Sequence, residues 1–369
     1  MKQSLQKRAG ALRSFAAHIK EMFMPGRDAA ARFSSLKGAV RSGGELITEK
    51  KHVVTVGGGT GTFVVLSALK DVSGVSLSAI VSVADDGGST GRLRDAYGII
   101  PPGDARQALV ALAKDGSLLR SLFTHRFEKG DIAGHNFGNL FLTALSAELG
   151  SDAAAIRAAS DILRVKGKVV PVSERPAVLT AELRSGEVLV GQHTINARPS
   201  GGSPIQRLGL ETPVETSKEA MQAIATADMV VLGPGDLYTS TLANFAVPGL
   251  SAAVGKSKAK LIYFVNLFTN ASETDGYTAK DYVAEITRYT GRKPDVIFVH
   301  AGALPNEVVE YYAKKDGHPV LDDLGDDPRV IRGDFADPVT LKKTVVDVID
   351  RSIIRHDPEK VRVAITKLL

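Results

Sequence analysis

The sequence predicts an α/β fold: a doubly wound, mostly parallel Rossmann-like sheet that carries a helical block and a small β-rich insertion. Three observations predict it. From His52 onward, short β-rich runs alternate with helical patterns. Several of those runs, at 229–232, 261–265 and 296–299, are apolar without interruption, as strands covered on both faces are. Glycine-rich segments follow directly on strand ends, at 57–61, 87–91 and 233–235, where open α/β sheets bind ligands.

Taken in order, 52–56 reads as a buried strand running straight into Gly57-Gly58-Gly59-Thr60-Gly61. Residues 62–70 then show helical spacing through Phe63, Leu66 and Leu69. A second strand, 78–84, runs into Asp85-Asp86-Gly87-Gly88-Ser89-Thr90-Gly91. Strand, glycine-rich turn, helix and strand make one βαβ unit with a parallel pair. The helical block of about 104–163 comprises helices at 104–114, 117–126, 136–149 and 152–163. Asp104, after Pro101-Pro102-Gly103, reads as the N-cap of the first of these. The β-rich insertion occupies about 168–210, with turn signals at 185–186 and 200–202. Alternation resumes with helix 217–227, strand 229–233, helix 240–246, strand 260–266, helix 279–290 and strand 295–299. A last strand, 329–332, and a helix, 339–354, close the chain.

The charge is unevenly placed. The 369 residues carry a formal +5, but residues 1–51 hold eleven Lys or Arg against four Asp or Glu. The rest holds 35 basic and 37 acidic side chains, so the body is close to neutral and gives no compositional support for nucleic-acid binding. The division is therefore a basic extension, 1–51, and one Rossmann-like domain, 52–369. Leu5, Leu12, Phe15, Ile19 and Phe23 recur at helical spacing in the extension, flanked by Lys7, Arg8, Arg13 and Lys20. Such a helix suits a membrane surface or a partner, or simply packs locally. No apolar run reaches a secretory core or the roughly 18 residues of a membrane span, so a cytoplasmic protein is expected, peripheral at the membrane if the extension docks there.

Other chemistry is excluded outright. Without cysteine there are no disulfides, thiolate metal sites or thiol nucleophiles. The eight histidines show no zincin spacing, and no serine-centred nucleophile elbow occurs. What remains is phosphate chemistry, since glycine-rich turns at helix N-termini direct backbone N–H groups at anions. The first loop is neither a dinucleotide fingerprint, because Thr62 stands where the third glycine belongs, nor a Walker loop, because it lacks the lysine. Alone it is also compatible with a bare tight turn. Asp85 and Asp86 close the second strand, where a carboxylate can accept from a ribose, hold Mg²⁺ against phosphate oxygens or cap the following turn. Arg92 and Arg94 either supply charge to phosphate or pair with Asp95 and Asp104. Gly134-His135-Asn136-Phe137-Gly138-Asn139 opens a helix whose amides need partners.

These blocks resemble the YvcK/CofD-like family. The resemblance is carried by V-V-T-V-G-G-G-T-G, A-I-V-S-V-A-D-D-G-G-S-T-G-R-L-R and P-P-G-D-A-R-Q-A-L-V-A-L, all within 52–112. It continues through G-H-N-F-G-N-L at 134–140, G-P-G-D-L-Y-T-S at 233–240, N-L-F-T at 266–269, E-T-D-G-Y-T at 273–278 and H-D-P-E-K-V at 356–361. One branch of that family is the 2-phospho-L-lactate transferase, which moves a phospholactyl group from a guanosine diphosphate-linked donor to a deazaflavin alcohol with Mg²⁺. The other is the gluconeogenesis-factor branch, whose members bind UDP-sugars and act on central carbon metabolism, cell-wall precursor supply and cell shape. The second and G-P-G blocks are similar to the gluconeogenesis-factor branch, so the resemblance implies a UDP-sugar binding protein. An enzyme of the transferase type is the alternative, and a scaffold docked through the extension is a third.

Carried over by position, the resemblance implies a nucleotide and phosphate site of Gly58, Gly59, Thr60, Gly61, Asn139, Gly233, Gly235, Leu237, Tyr238, Thr239, Ser240, Asn266 and Thr269. Asp85 and Asp86 lie beside it as candidate catalytic or Mg²⁺-binding groups, with Tyr312 and Arg355 on the sugar side. A homodimer is a candidate assembly. Two departures bear on the site. Asp236 stands where the branch usually has Ser, which calls for a cation or a side chain turned away, and Asn270-Ala271-Ser272 replaces the usual Gln-x-Gly.

Overall fold

A computed structural model describes residues 50–337 and 353–369. The predicted extension therefore lies outside the described residues except for its last two positions, and the predicted helix at 339–354 lies almost wholly outside them.

Seven parallel strands form the main sheet in the order β10-β9-β8-β7-β1-β2-β3. They are β1 (Lys51–Val56), β2 (Val75–Val81), β3 (Lys168–Pro171), β7 (Met229–Leu232), β8 (Lys260–Phe264), β9 (Val296–His300) and β10 (Val330–Gly333). Their apolar runs follow from burial on both sides. In β7, Val230 and Leu232 join one core, while Met229 and Val231 join the other. Packed on the second of these faces are α1 (Gly59–Leu69), α3 (Pro102–Leu112) and the C-terminal α12 (Pro358–Thr366). The first face is covered by α8 (Lys218–Ala225), α9 (Leu250–Lys256) and α10 (Ala279–Thr290).

The β-rich stretch divides. Strand 168–171 becomes the edge strand β3 of the main sheet, pairing with β2. Only β4 (Leu179–Leu183), β5 (Val188–Val190) and β6 (Ile205–Leu210) form a separate antiparallel sheet, with the short helix α7 (Gln192–Asn196) between β5 and β6. Leu179, Ala181 and Leu183 of β4 bury their alternate side chains in the first core, which seats this small sheet on the domain.

Four local assignments differ from the sequence reading. Residues 88–97 form a helix, α2 (Gly88–Tyr97), which Ser89, Thr90 and Gly91 conceal from propensity; Gly98 ends it in the left-handed region at φ 67°. The first helix of the helical block begins at Pro102 after Pro101, so Asp104 lies inside α3 and caps nothing there. At 240–246 the chain makes a wide turn, Leu237–Thr241, and a 3₁₀ turn, Leu242–Asn244. The Asp236 carbonyl accepts from both Ser240 and Thr241, and the Asn244 amide holds the turn from within. The C-terminal helix α12 escaped the sequence reading although its start is legible: Asp357 accepts from the Glu359 and Lys360 amides and Pro358 takes the first position. The block is completed by α4 (Leu118–Thr124), α5 (Phe137–Leu149) and α6 (Asp152–Leu163); α11 (Asn306–Ala313) follows β9.

Candidate functional site at the strand exits

Along the parallel sheet the order of connection reverses between β1 and β7, and the crevice beyond the C-terminal ends of those neighbours is where this architecture binds ligands. Both exits are glycine-rich, and they touch. A β-carbon at Gly61 would stand 1.2 Å from the Pro234 carbonyl oxygen, so only glycine lets the two loops close on each other. Gly58, the N-cap of α1, provides no side-chain cap, and the first turn of α1 contains no acidic residue. The N-terminus of α2 is built the same way, with Gly87 as N-cap and no acid in its first turn. Two glycine-capped helix N-termini, neither with an acidic residue in its own first turn, thus border one crevice, where helix ends favour an anion.

The cap that α1 lacks comes from another helix. Asp104, buried inside α3, accepts the Gly59 amide at 2.8 Å. A β-carbon on Gly58 would stand 2.2 Å from its carboxylate, and one on Gly103 would stand 2.4 Å from that of Asp85. Asp85 bonds the Gly87 amide at 2.9 Å. Burial pushes both carboxyls above the ordinary carboxylate value. Asp104, beside the charged Asp85, is raised to about 7.

The adjacent Asp86 turns elsewhere. Its carboxylate accepts the His193 amide at 2.7 Å and lies against Gly191, tying the β2 exit to the start of α7. Asp85 and Asp86 therefore do not converge on one point, and a cation held by the two together, as the sequence expects, does not fit. Among the described residues no group of three or more His, Asp or Glu side chains is arranged for a metal. The acidic pair at the site is Asp85 with Asp104.

Asn139, on α5, is buried with every amide atom engaged. Its oxygen accepts Arg106 Nε at 2.9 Å, and its nitrogen donates to Ser89 and Thr90 hydroxyls at 3.3 and 3.4 Å. Asn136 caps α5 through the Gly138 and Asn139 amides, and His135 Nδ1 lies 3.1 Å from the Ser89 hydroxyl. Arg94 pairs with Asp95, while Arg92 reaches the Ala133 carbonyl at 3.4 Å.

On the β7 side, Leu237, Tyr238 and Thr239 direct their side chains inward. The Tyr238 hydroxyl meets that of Tyr277 at 2.8 Å, and the Thr239 hydroxyl donates to Glu273 and to Asn196. Ser240 is half-buried, and its hydroxyl would lie 3.6 Å from a β-carbon on Gly59. Asn266 donates to the Gly235 carbonyl at 2.7 Å and holds the glycine loop from behind. Thr269 is occupied by the His318 amide at 2.9 Å. Asp236 is met by Asn270 Nδ2 at 3.0 Å, so the two departures noted in the sequence answer one another without a cation. Glu273 accepts the Tyr238 amide at 2.8 Å; burial, with charged Asp236 beside it, raises its carboxyl to about 8. Tyr312 stacks on Phe268 at 4.0 Å, in an apolar cluster that also takes Ile353 and Ile354, next to Arg355.

Sequence reasoning pointed to the glycine loops and did not single out Asp104, Thr90, Arg106 and Glu273, which the structure sets beside those loops. Asp104 looked like a cap, Thr90 lay unremarked within the second glycine-rich segment, and Arg106 and Glu273 lie apart in sequence from the β1 and β7 exits. Among the described residues, no helix is long and apolar enough to cross a membrane.

Residues 53–335 match the family described as 2-phospho-L-lactate transferase CofD. The gluconeogenesis factor of Halalkalibacterium halodurans is 41% identical over 321 residues, covering 86% of this chain and 96% of that protein. That of Bacillus subtilis is 38% identical over 325 residues, covering 87% and 99%. A solved structure of a UPF0052 family member from Bacillus halodurans superposes with a TM-score of 0.78 at 39% identity, covering 86% of this chain and 99% of that one. With most of the domain matched and relatives aligned over nearly their full length, the chain belongs to the CofD family and is similar to members of it named gluconeogenesis factors.

Proposed function

We propose that the β1–β7 crevice binds a nucleotide diphosphate-sugar, with a UDP-sugar as the preferred ligand, and that the protein acts as a gluconeogenesis factor in central carbon metabolism and cell-wall precursor supply. The observation that carries the reading is the closed pair of glycine loops, 57–61 and 233–235, beside helix N-termini whose first turns hold no acid. A diphosphate is the ligand whose two anionic groups suit two such ends. Burial of Asp104, whose carboxyl is raised to about 7, lessens the negative charge set against a phosphate near neutral pH. The names of the relatives support a reading in carbon metabolism over one in deazaflavin chemistry.

Calorimetric titration of the full chain with UDP-N-acetylglucosamine, UDP-glucose, GDP and GMP tests it. Saturable binding of at least one UDP-sugar, at least tenfold tighter than GDP, is expected. Tighter binding of GDP and GMP than of both UDP-sugars would move the protein to the transferase reading.

A further inference from the structure

The small sheet sends one segment back across the crevice. Between β5 and β6 the chain makes α7, and both ends of that helix are fastened to exits of the main sheet. At its start the His193 amide donates to Asp86, which follows β2, at 2.7 Å. At its end Asn196 Oδ1 accepts the Thr239 hydroxyl, in the turn that follows β7, at 3.1 Å. Strands β2 and β7 are the two neighbours of β1, so the anchors stand about 9.6 Å apart by strand spacing. The helix rises only about 4.5 Å from 193 to 196, and the side chains of Asp86, Asn196 and Thr239 span the remainder. Helix α7 therefore arches over the β1 exit. Between its anchors Ile195 is fully buried in the first core, whereas α1 packs on the second, so a ligand at the N-terminus of α1 has α7 across from it. Beyond α7 the chain is tied once more, by the Gly201 amide to Asp275 after β8, at 3.2 Å. Residues 191–203 contain no Asp or Glu, so this segment sets no carboxylate against a diphosphate. Gln192, Thr194 and Asn196 are uncharged groups that donate and accept, as the hydroxyls of a sugar or the edge of a base require.

We propose that α7 is the outer wall of the nucleotide crevice, and that Asp86 and Asn196 are positioning residues that hold it over the β1 exit, where it meets the ligand beyond its diphosphate. The role rests on the nucleotide reading. The glycine loops and the end of α1 take the anionic groups, and α7, on the opposite face, takes the uncharged remainder. The small sheet then serves ligand selection: β4 roots it in the core through Leu179, Ala181 and Leu183, and the β5–β6 connection carries the wall.

Hydrogen exchange of the full chain with saturating UDP-N-acetylglucosamine is expected to slow 192–197 by about tenfold, together with the glycine loops. Slowed loops with α7 unchanged would overturn the proposal and leave the nucleotide reading standing. No protection of either would remove that reading and the wall with it. Calorimetry of variants tests the positioning. Asp86→Ala is expected to weaken UDP-N-acetylglucosamine binding about tenfold and Asn196→Ala about threefold, the scale of one hydrogen bond with and without a charged partner. Asp86→Asn, whose oxygen still accepts the His193 amide, stays within about twofold of the parent. Glu182→Ala, which breaks the exposed Glu182–Arg207 pair on the same small sheet, is the control and leaves affinity unchanged. If Asp86→Ala does not fold, Asn196→Ala and Asp86→Asn carry the test. Parent affinity in the alanine variants, or a loss in Glu182→Ala equal to theirs, would overturn the proposal.

Discussion

Replacing Gly61 with alanine is expected to cost about 3 kcal/mol of stability and to abolish nucleotide binding together. The added β-carbon falls 1.2 Å from the Pro234 carbonyl oxygen and 2.3 Å from its carbon, and both are backbone atoms. Side-chain rotation cannot relieve that overlap, so the β1 and β7 exits have to separate. Their separation breaks the junction on which the phosphate reading depends. Chemical denaturation against the parent chain measures the first effect and calorimetry the second. Gly88→Ala is the comparison, since a β-carbon there meets nothing within 4 Å; its cost is confined to the backbone, where φ is 48°. Equal losses in the two variants would show that conformation, and not the closure of the loops, governs position 61.

Asp104→Asn is expected to stabilise the protein above neutral pH, by on the order of 2 kcal/mol at pH 8, while leaving it little changed at pH 4. The sign follows from the direction of the shift. In the folded chain Asp104 holds its proton up to about 7, whereas an unfolded carboxyl releases it near 4. Between those values the folded state binds the extra proton, so the native aspartate loses stability as pH rises through that window. Above about 7 the full cost is present. An asparagine oxygen still accepts the Gly59 amide, and its nitrogen replaces the carboxylate edge that opposes Asp85. Urea denaturation at pH 4, 6 and 8 gives the comparison. A variant less stable than the parent at pH 8 would mean that the Asp104 charge is stabilised in the fold. Such a gain, paired with altered ligand affinity, is the pattern of a site whose geometry is kept for binding at some expense to stability.

Much of the fold was legible because burial on both faces leaves a simple trace. The strands β1, β7, β8 and β9 are apolar at nearly all their buried positions, Thr55 of β1 being the polar exception, and β1 and β7 exit directly into glycine. The β3 strand was grouped with the insertion because only four residues pair with β2, and local sequence does not say which sheet they join. Helix α2 was hidden by Ser89, Thr90 and Gly91, whose low propensity is overridden once Thr90 and Ser89 are bound by Asn139. The site was legible at its backbone and opaque at its side chains. Glycine loops declare themselves by composition, but the partner of Asp85 is decided by a helix that begins after Pro101-Pro102 and returns Asp104 beneath Gly59. Asp86, adjacent in sequence, serves α7 of the small sheet instead. The Asp236–Asn270 contact joins residues on different strand exits and has no local signal at all.

The central claim is that the ligand sits between the β1 and β7 exits. Hydrogen exchange of the full chain, with and without saturating UDP-N-acetylglucosamine, tests it most directly. Slowed exchange in both 57–61 and 233–241, with the exposed edge strand β5 unchanged, is the predicted result. Binding that leaves both segments unprotected and slows exchange elsewhere would contradict it.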